Sequence, residues 1–230
     1  MPCVSLRGIV FDFDGVIANS EPLHFEGYRK VLEEQGVRLS EPDYYERYLG
    51  FDDAGAFAAI ARDQSLSWSD NQVAALVERK ADILEELESQ RSVLFPGAAA
   101  AIKRLAADGP LAIASGALRA EILRTLDRED LRRYFALIVA AEDTSESKPS
   151  PAPYLRAVER LAAVATGSSD PAGYVAIEDS HWGLESARAA GLKTVAVTHT
   201  YAAAELSADL TVANLDDLTW RRLSALTDIV

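Results

Sequence analysis

Cysteine is almost absent: Cys3 is alone in a chain of 230 residues. A lone thiol makes no internal disulfide, which excludes a disulfide-stapled scaffold and fits a reducing compartment. Long apolar runs are missing too. The longest, Phe135 to Ala141, falls far short of the roughly 20 residues that cross a bilayer. No basic segment followed by a long apolar run and a cleavage site marks the N-terminus, so a cytoplasmic location without membrane association is expected. Positive charge is scarce: 36 acidic residues face 23 basic ones, a net charge of −13, and only five of the basic residues are lysines. Nothing in that balance offers a global field to hold nucleic-acid phosphates, so nucleic acid is not expected as a partner. A small phosphorylated ligand stays open if local cations offset the charge. The remaining composition, 49% hydrophobic and 26% charged, is that of a globular chain rather than a disordered one.

Short, continuous apolar runs are what the chain has instead. Leu6 to Phe11 is the first, ending in Asp12-Phe13-Asp14-Gly15. Leu111 to Ala114, Leu137 to Ala141, Tyr174 to Ile177 and Thr194 to Val197 follow, with a weaker run at Leu210 to Val212. Continuous rather than alternating runs suit strands buried on both faces of a parallel sheet. Helical stretches separate them at Ala98–Ala107, Arg119–Leu126, Pro151–Ala163 and Trp182–Ala190. Alternating strand and helix predicts an α/β fold, an open doubly wound parallel sheet whose ligands sit outside the carboxyl ends of the strands. The gap between the first two strands breaks that alternation. Residues 18–91 read as helices at Pro22–Gln35, Pro42–Tyr48, Asp53–Arg62 and Val73–Gln90, with Ser69 and Gln72 forming a capping box for the last. So long a helical stretch is too much for a crossover. The expected organisation is a core domain of residues 1–17 and 92–230 with a helical cap domain of residues 18–91.

Polar residues with chemical potential fall where the strands end. Asp12 and Asp14 point to one side if strand geometry continues, as hard oxygen ligands for Mg²⁺ or as a nucleophile towards phosphorus. An Asp-x-Asp-Gly turn closing a strand is the plainer alternative. Glu178-Asp179-Ser180 follows the fourth strand and serves equally as metal ligands or as a helix cap. Lys148, after the third strand, either is a solvated loop lysine or neutralises carboxylates and a phosphate together. At 4 Å and an effective dielectric near 20, one such pair is worth about 4 kcal/mol. Ser115-Gly116 ends the second strand, as a phosphate-oxygen site or an ordinary cap. In the helical stretch, His24 lies with Tyr28, Val31 and Leu32 on or near a buried face. Lys80 falls in an apolar stripe with Val73, Leu76, Val77, Ile83, Leu84 and Leu87. A buried unpaired lysine is costly, so it is expected to snorkel, to pair with a carboxylate, or to face a cleft between cap and core.

Taken in order, these signals are carboxylates after the first strand, a hydroxyl after the second, a lysine after the third and carboxylates after the fourth. That order, spread over nearly the whole chain, resembles the haloacid dehalogenase superfamily. The resemblance rests on Asp12-Phe13-Asp14-Gly15-Val16-Ile17-Ala18-Asn19-Ser20-Glu21, Ala114-Ser115-Gly116, Lys148-Pro149-Ser150-Pro151 and Ile177-Glu178-Asp179-Ser180. The helical insert resembles the cap of the branch containing β-phosphoglucomutase and small-phosphomonoester phosphatases. The resemblance implies Asp12 as nucleophile and Asp14 as general acid/base. It implies that Ser115, the following amide at Gly116, and Lys148 hold the transferring phosphoryl group. Asp12, the Asp14 main-chain carbonyl, Glu178 and Asp179 would hold Mg²⁺. In the cap, His24 and Lys80 match substrate-binding positions of that branch.

The chain departs from the family pattern at Asn19 and Ala152, where acidic residues are common. A further departure is Gly50-Phe51-Asp52-Asp53, acidic where that branch carries an arginine for a second sugar phosphate. An anionic second group would be repelled there. The expected function is therefore a Mg²⁺-dependent phosphatase acting on a small soluble phosphomonoester, with a monomer or weak dimer as the assembly. A sugar-phosphate mutase is the alternative. A 2-haloacid dehalogenase ranks below, because it leaves Asp14, Glu178 and Asp179 without a task. A non-catalytic binding protein ranks low as well, because every core position is filled.

Overall fold

Strands β1 (Gly8–Phe11), β2 (Leu111–Ala114), β3 (Phe135–Val139), β4 (Tyr174–Glu178), β5 (Lys193–Val197) and β6 (Leu210–Val212) form one sheet in the computed structural model. The structure describes residues 5–49, 51, 53–165 and 167–228; Cys3, Gly50 and Asp52 lie outside them. The sheet order is β3-β2-β1-β4-β5-β6 and every pairing is parallel, which is the expected α/β architecture. All four residues of β1 and of β2 are buried, in keeping with their unbroken apolar sequence.

The chain divides into two compact units, Met1–Asn19 with Leu94–Val230, and Ser20–Val93. The first contains the sheet. Its helices are α5 (Ala98–Ala106), α6 (Arg119–Arg128), α7 (Ala152–Val164), α8 (His181–Ala189) and α9 (Trp220–Thr227). On one face, Tyr154, Ala157, Val158 and Leu161 of α7 pack with Ala187 of α8 against Val10, Ala112 and Ala176. Strand order reverses between β1 and β4, the point at which a doubly wound sheet opens a crevice at its carboxyl edge.

The second unit holds α1 (Glu21–Glu34), α2 (Glu41–Arg47), α3 (Asp53–Asp63) and α4 (Asp70–Gln90). Ser69 and Gln72 cap α4 reciprocally. That cap starts α4 three residues earlier than the apolar pattern alone suggests. Tyr28, Tyr44 and Phe57 bring α1, α2 and α3 together through ring contacts of 5.1 to 5.5 Å. Among the described residues no helix is long and apolar enough to cross a membrane.

Two sequence expectations need correction. The third strand runs Phe135–Val139, not Leu137 to Ala141. Asp143 explains the shift: its side chain accepts the Ala140 amide at 2.8 Å and turns the chain into a 3-10 segment. At the other end Phe135 is drawn in by an edge contact with Phe11. Helix α9, started by Thr219 accepting the Arg222 amide at 3.2 Å, had no expected counterpart.

Candidate active site

Strand register puts the acidic residues side by side. Phe11 pairs with Ile177, and the Asp12 amide donates to the Ile177 carbonyl at 2.9 Å. The next residues along these strands are Asp12 and Glu178, at the β1/β4 crevice. Asp12, Glu178 and Asp179 are all buried, and each offers a carboxylate oxygen within 4.8 Å of the others.

Lys148 reaches the same point from the loop after β3. Its Nζ donates to Asp12 Oδ1 at 2.7 Å and to Glu178 Oε1 at 2.5 Å. Burial alone disfavours the ammonium charge, but Asp12 and Glu178 outweigh that and hold its pKa above the usual value. Tyr154, from the start of α7, donates to Glu178 Oε1 at 2.8 Å. Glu178 Oε2 accepts from the Asp179 amide at 3.1 Å and from Ser180 Oγ at 3.1 Å. Glu178 is thus already held by several donors, and a metal contact at either oxygen has to share it with them.

One ammonium does not balance three carboxylates. Burial pushes the Asp12 carboxyl well above the usual range, and the neighbouring charge of Glu178 adds to this against the pull of Lys148. Asp179 is pushed up to about 6, mainly by burial, with a hydrogen bond from Thr200 opposing the rise. A divalent cation relieves such a surplus, and buried hard oxygen donors are the chemistry that Mg²⁺ accepts. The residues therefore fit a metal of that kind.

Two glycines make room for these carboxylates. A Cβ at Gly183 would lie 1.8 Å from Glu178 Oε1, and one at Gly15 would lie 1.9 Å from Asp179 Oδ2. Gly15 also has φ of +76°, a conformation that other residues adopt only under strain.

Asp14 sits two residues past Asp12, exposed, in a bridge to Ala18. Ser115 is buried at the end of β2, which neighbours β1; its Oγ accepts from the Ala117 amide at 3.0 Å. Gly116 is exposed just beyond it, with open space where a Cβ would project. The core residues singled out in the sequence thus sit at the carboxyl edges of adjacent strands. His24 and Lys80 belong to the other unit and form a separate cluster. Lys80 is 1% exposed, donates to His24 Nδ1 at 3.1 Å and forms an ion pair with Asp53. Of the three outcomes open to a buried lysine, pairing with a carboxylate is the one found.

Sequence reasoning missed Tyr154, His199 and Thr200. The spacing of Tyr154 with Ala157, Val158 and Leu161 signals only a core face, so its hydroxyl contact carried no separate sign. His199 and Thr200 did carry one, being polar residues just beyond the apolar Thr194 to Val197 run. His199 Nδ1 donates to the Gly15 carbonyl at 2.8 Å, and Thr200 Oγ1 donates to Asp179 Oδ2.

Comparison with known proteins gives a consistent result. The family profile described as haloacid dehalogenase-like hydrolase matches residues 9–197. A phosphorylated carbohydrates phosphatase of Thermotoga maritima is 31% identical over 192 residues, 83% of this chain and 84% of that protein. A fructose-1-phosphate phosphatase of Escherichia coli is 29% identical over 202 residues, 83% of this chain and 95% of that protein. Among solved structures, CbbY from Rhodobacter sphaeroides in complex with phosphate aligns with a TM-score of 0.73 at 25% identity. That alignment covers 93% of this chain and 96% of the other.

Proposed function

Because the chain belongs to the haloacid dehalogenase-like hydrolases, we propose that it is a Mg²⁺-dependent phosphatase of a small phosphomonoester, a sugar phosphate or similar. The observation that carries this reading is the Lys148 ammonium shared between Asp12 and Glu178, with Asp179 beside them. The pairing holds Asp12 in place and favours its ionised form.

In this reading Asp12 attacks phosphorus in line and the ester oxygen leaves, taking a proton from Asp14. Asp14 then removes a proton from water, which attacks the phosphorus of the aspartyl-phosphate. Inorganic phosphate and the Asp12 carboxylate result. The Ser115 hydroxyl, the Gly116 amide and Lys148 bind the phosphoryl oxygens. Asp12, the Asp14 carbonyl, Glu178 and Asp179 would hold the metal. When bound, Mg²⁺ supplies positive charge that offsets repulsion between the anionic ester and Asp12.

His24 and Lys80 are proposed as substrate-binding residues of the Ser20–Val93 unit, which is proposed as the cap. An ammonium has no lone pair, so His24 Nδ1 accepts from Lys80 and the ring proton is on Nε2. That proton is a donor suited to a neutral hydroxyl. Asp53 neutralises Lys80, which disfavours a role for the lysine in gripping a second phosphate and so disfavours a mutase. The phosphatase relatives support the same choice.

A panel of phosphomonoesters assayed with and without Mg²⁺ tests the proposal. Metal-dependent release of inorganic phosphate is expected. Isomerised sugar phosphate as the product, with no free phosphate, would establish a mutase instead. Halide release from 2-haloacids that survives chelation would establish a dehalogenase.

A further inference from the structure

The loop after β5 approaches the site from a side that none of the four sequence motifs covers. Two of its consecutive residues make polar contacts there. Thr200 Oγ1 donates to Asp179 Oδ2, and His199 Nδ1 donates to the Gly15 carbonyl at 2.8 Å. The His199 ring is stacked on Phe95, centroids 3.8 Å apart and planes 20° from parallel. Phe95 is itself tied to the β1 loop, its amide donating to the Ile17 carbonyl at 3.0 Å. Gly15 and the Asp179 side chain are also closely packed. The position a Cβ would take on Gly15 is 1.9 Å from the same Asp179 Oδ2 that Thr200 holds.

From this geometry we infer that His199 and Thr200 are positioning residues, which together clamp the loop at Gly15, the residue after Asp14, against the Asp179 carboxylate. Thr200 uses one lone pair of Oδ2 and fixes the carboxylate rotation, leaving its other lone-pair directions for a cation. His199 fixes the Gly15–Val16 peptide plane, one peptide beyond the residue that carries the acid/base side chain. Stacking on Phe95 prevents the imidazole from turning away. Neither side chain contacts the reacting atoms, and each acts through a neighbour. The inference rests on the metal-dependent reading above, because it assigns Asp179 as a ligand.

Groups that orient a metal ligand typically change metal affinity or activity about 10- to 100-fold when removed. The test is calorimetric titration of the full chain with Mg²⁺, alongside kinetics on a phosphomonoester at saturating metal. Thr200→Val keeps the shape and loses the donor, and is expected to weaken Mg²⁺ binding by about 10-fold or more. Thr200→Ser restores the hydroxyl and should restore affinity. His199→Phe keeps the stack and loses the donor; kcat is expected to fall about 10-fold with KM unchanged. His199→Asn returns an amide donor near the Nδ1 position and should recover much of kcat. The serine and asparagine variants also guard against a folding defect, since rescue by the donor alone is not a property of a merely structural side chain. If Thr200→Val binds Mg²⁺ as tightly as the wild type, or if serine fails to rescue a weakened site, the inference is overturned while the phosphatase reading stands. If the wild type itself shows no Mg²⁺ binding, the ligand assignment of Asp179 fails and both readings go with it.

Discussion

Each unit of the molecule sets one largely enclosed lysine against carboxylate, with the Lys80 side chain 1% and the Lys148 side chain 14% exposed, and the two differ in what surrounds them. Lys148 in the sheet unit meets Asp12 and Glu178, with Asp179 close by, so carboxylates outnumber the ammonium three to one. Among the described residues, Lys80 in the helical unit meets one carboxylate, Asp53, together with His24 and the face of the Tyr28 ring 4.1 Å away. The first cluster carries surplus negative charge and the second is balanced. The pKa directions follow. Burial and like charge push Asp12 up, and burial pushes Asp179 up to about 6. For Asp53 burial also acts upward, but Lys80, by its charge and hydrogen bond, reverses it and leaves the carboxyl below its usual value. A balanced buried pair holds a structure together, whereas an unbalanced one asks for a further cation and can do chemistry with it.

Neutralising the acid in each cluster should have opposite consequences. Asp12→Asn is expected to reduce turnover to background, measured as phosphate release. It should leave the metal-free protein as stable as before or more so, because it removes part of the surplus charge. Retained turnover would break the assignment of Asp12. Asp14→Asn is expected to cost about 10²- to 10⁴-fold in kcat, the range for loss of a positioned acid.

Metal should act on one cluster alone. At a hundredfold excess over its Kd, Mg²⁺ is expected to stabilise the protein by about 2.7 kcal/mol. Hydrogen exchange resolved by peptide locates the effect: slowing is expected in β1, β4 and the β5 loop, with α1 and α4 unchanged. Equal protection of α1 and α4 would erase the distinction between the clusters.

Asp53→Asn leaves Lys80 buried without its counter-charge. The loss is expected to be about 1–3 kcal/mol, below the usual cost of breaking a fully buried pair because the Asp53 side chain is 37% exposed. Chemical denaturation measures it, and an unchanged midpoint would contradict the pairing. The smallest effect is the pH dependence, which has opposite signs in the two units. A lowered carboxyl such as Asp53 contributes stability that is present above the ordinary carboxylate range and lost as pH falls through its folded value. A raised one such as Asp179 disfavours the metal-free fold increasingly as pH rises from about 4 to about 6. Local exchange rates in α3 and in the β4–α8 turn, followed from pH 7 down to pH 3, should diverge accordingly.

The sheet unit was the more legible of the two in the sequence, for a physical reason. The β1, β2 and β4 runs are short and apolar, and each stops at a residue too polar to be buried without a task. Asp12, Ser115 and Glu178 are therefore marked by their position as well as by their type. Lys148 is marked by rarity and by its place after β3. In the helical unit Lys80 is marked by periodicity, which places it on a buried face but does not pair it with Asp53 among the many acidic residues near it. Hydrogen bonds from one strand end to another, such as Thr200 to Asp179, depend on register across the sheet, which no local pattern encodes. The same holds for Tyr154, whose ring is core and whose hydroxyl serves Glu178.

In the proposed reaction Asp12 becomes covalently phosphorylated. Borohydride reduces an acyl phosphate to an alcohol, so substrate and Mg²⁺ followed by a borohydride quench should convert residue 12 to homoserine. Peptide mass analysis reads this directly. Conversion at residue 12 that requires both substrate and metal is the predicted result. Phosphate release with no reduction at that residue, or with reduction at another carboxylate instead, would contradict the account.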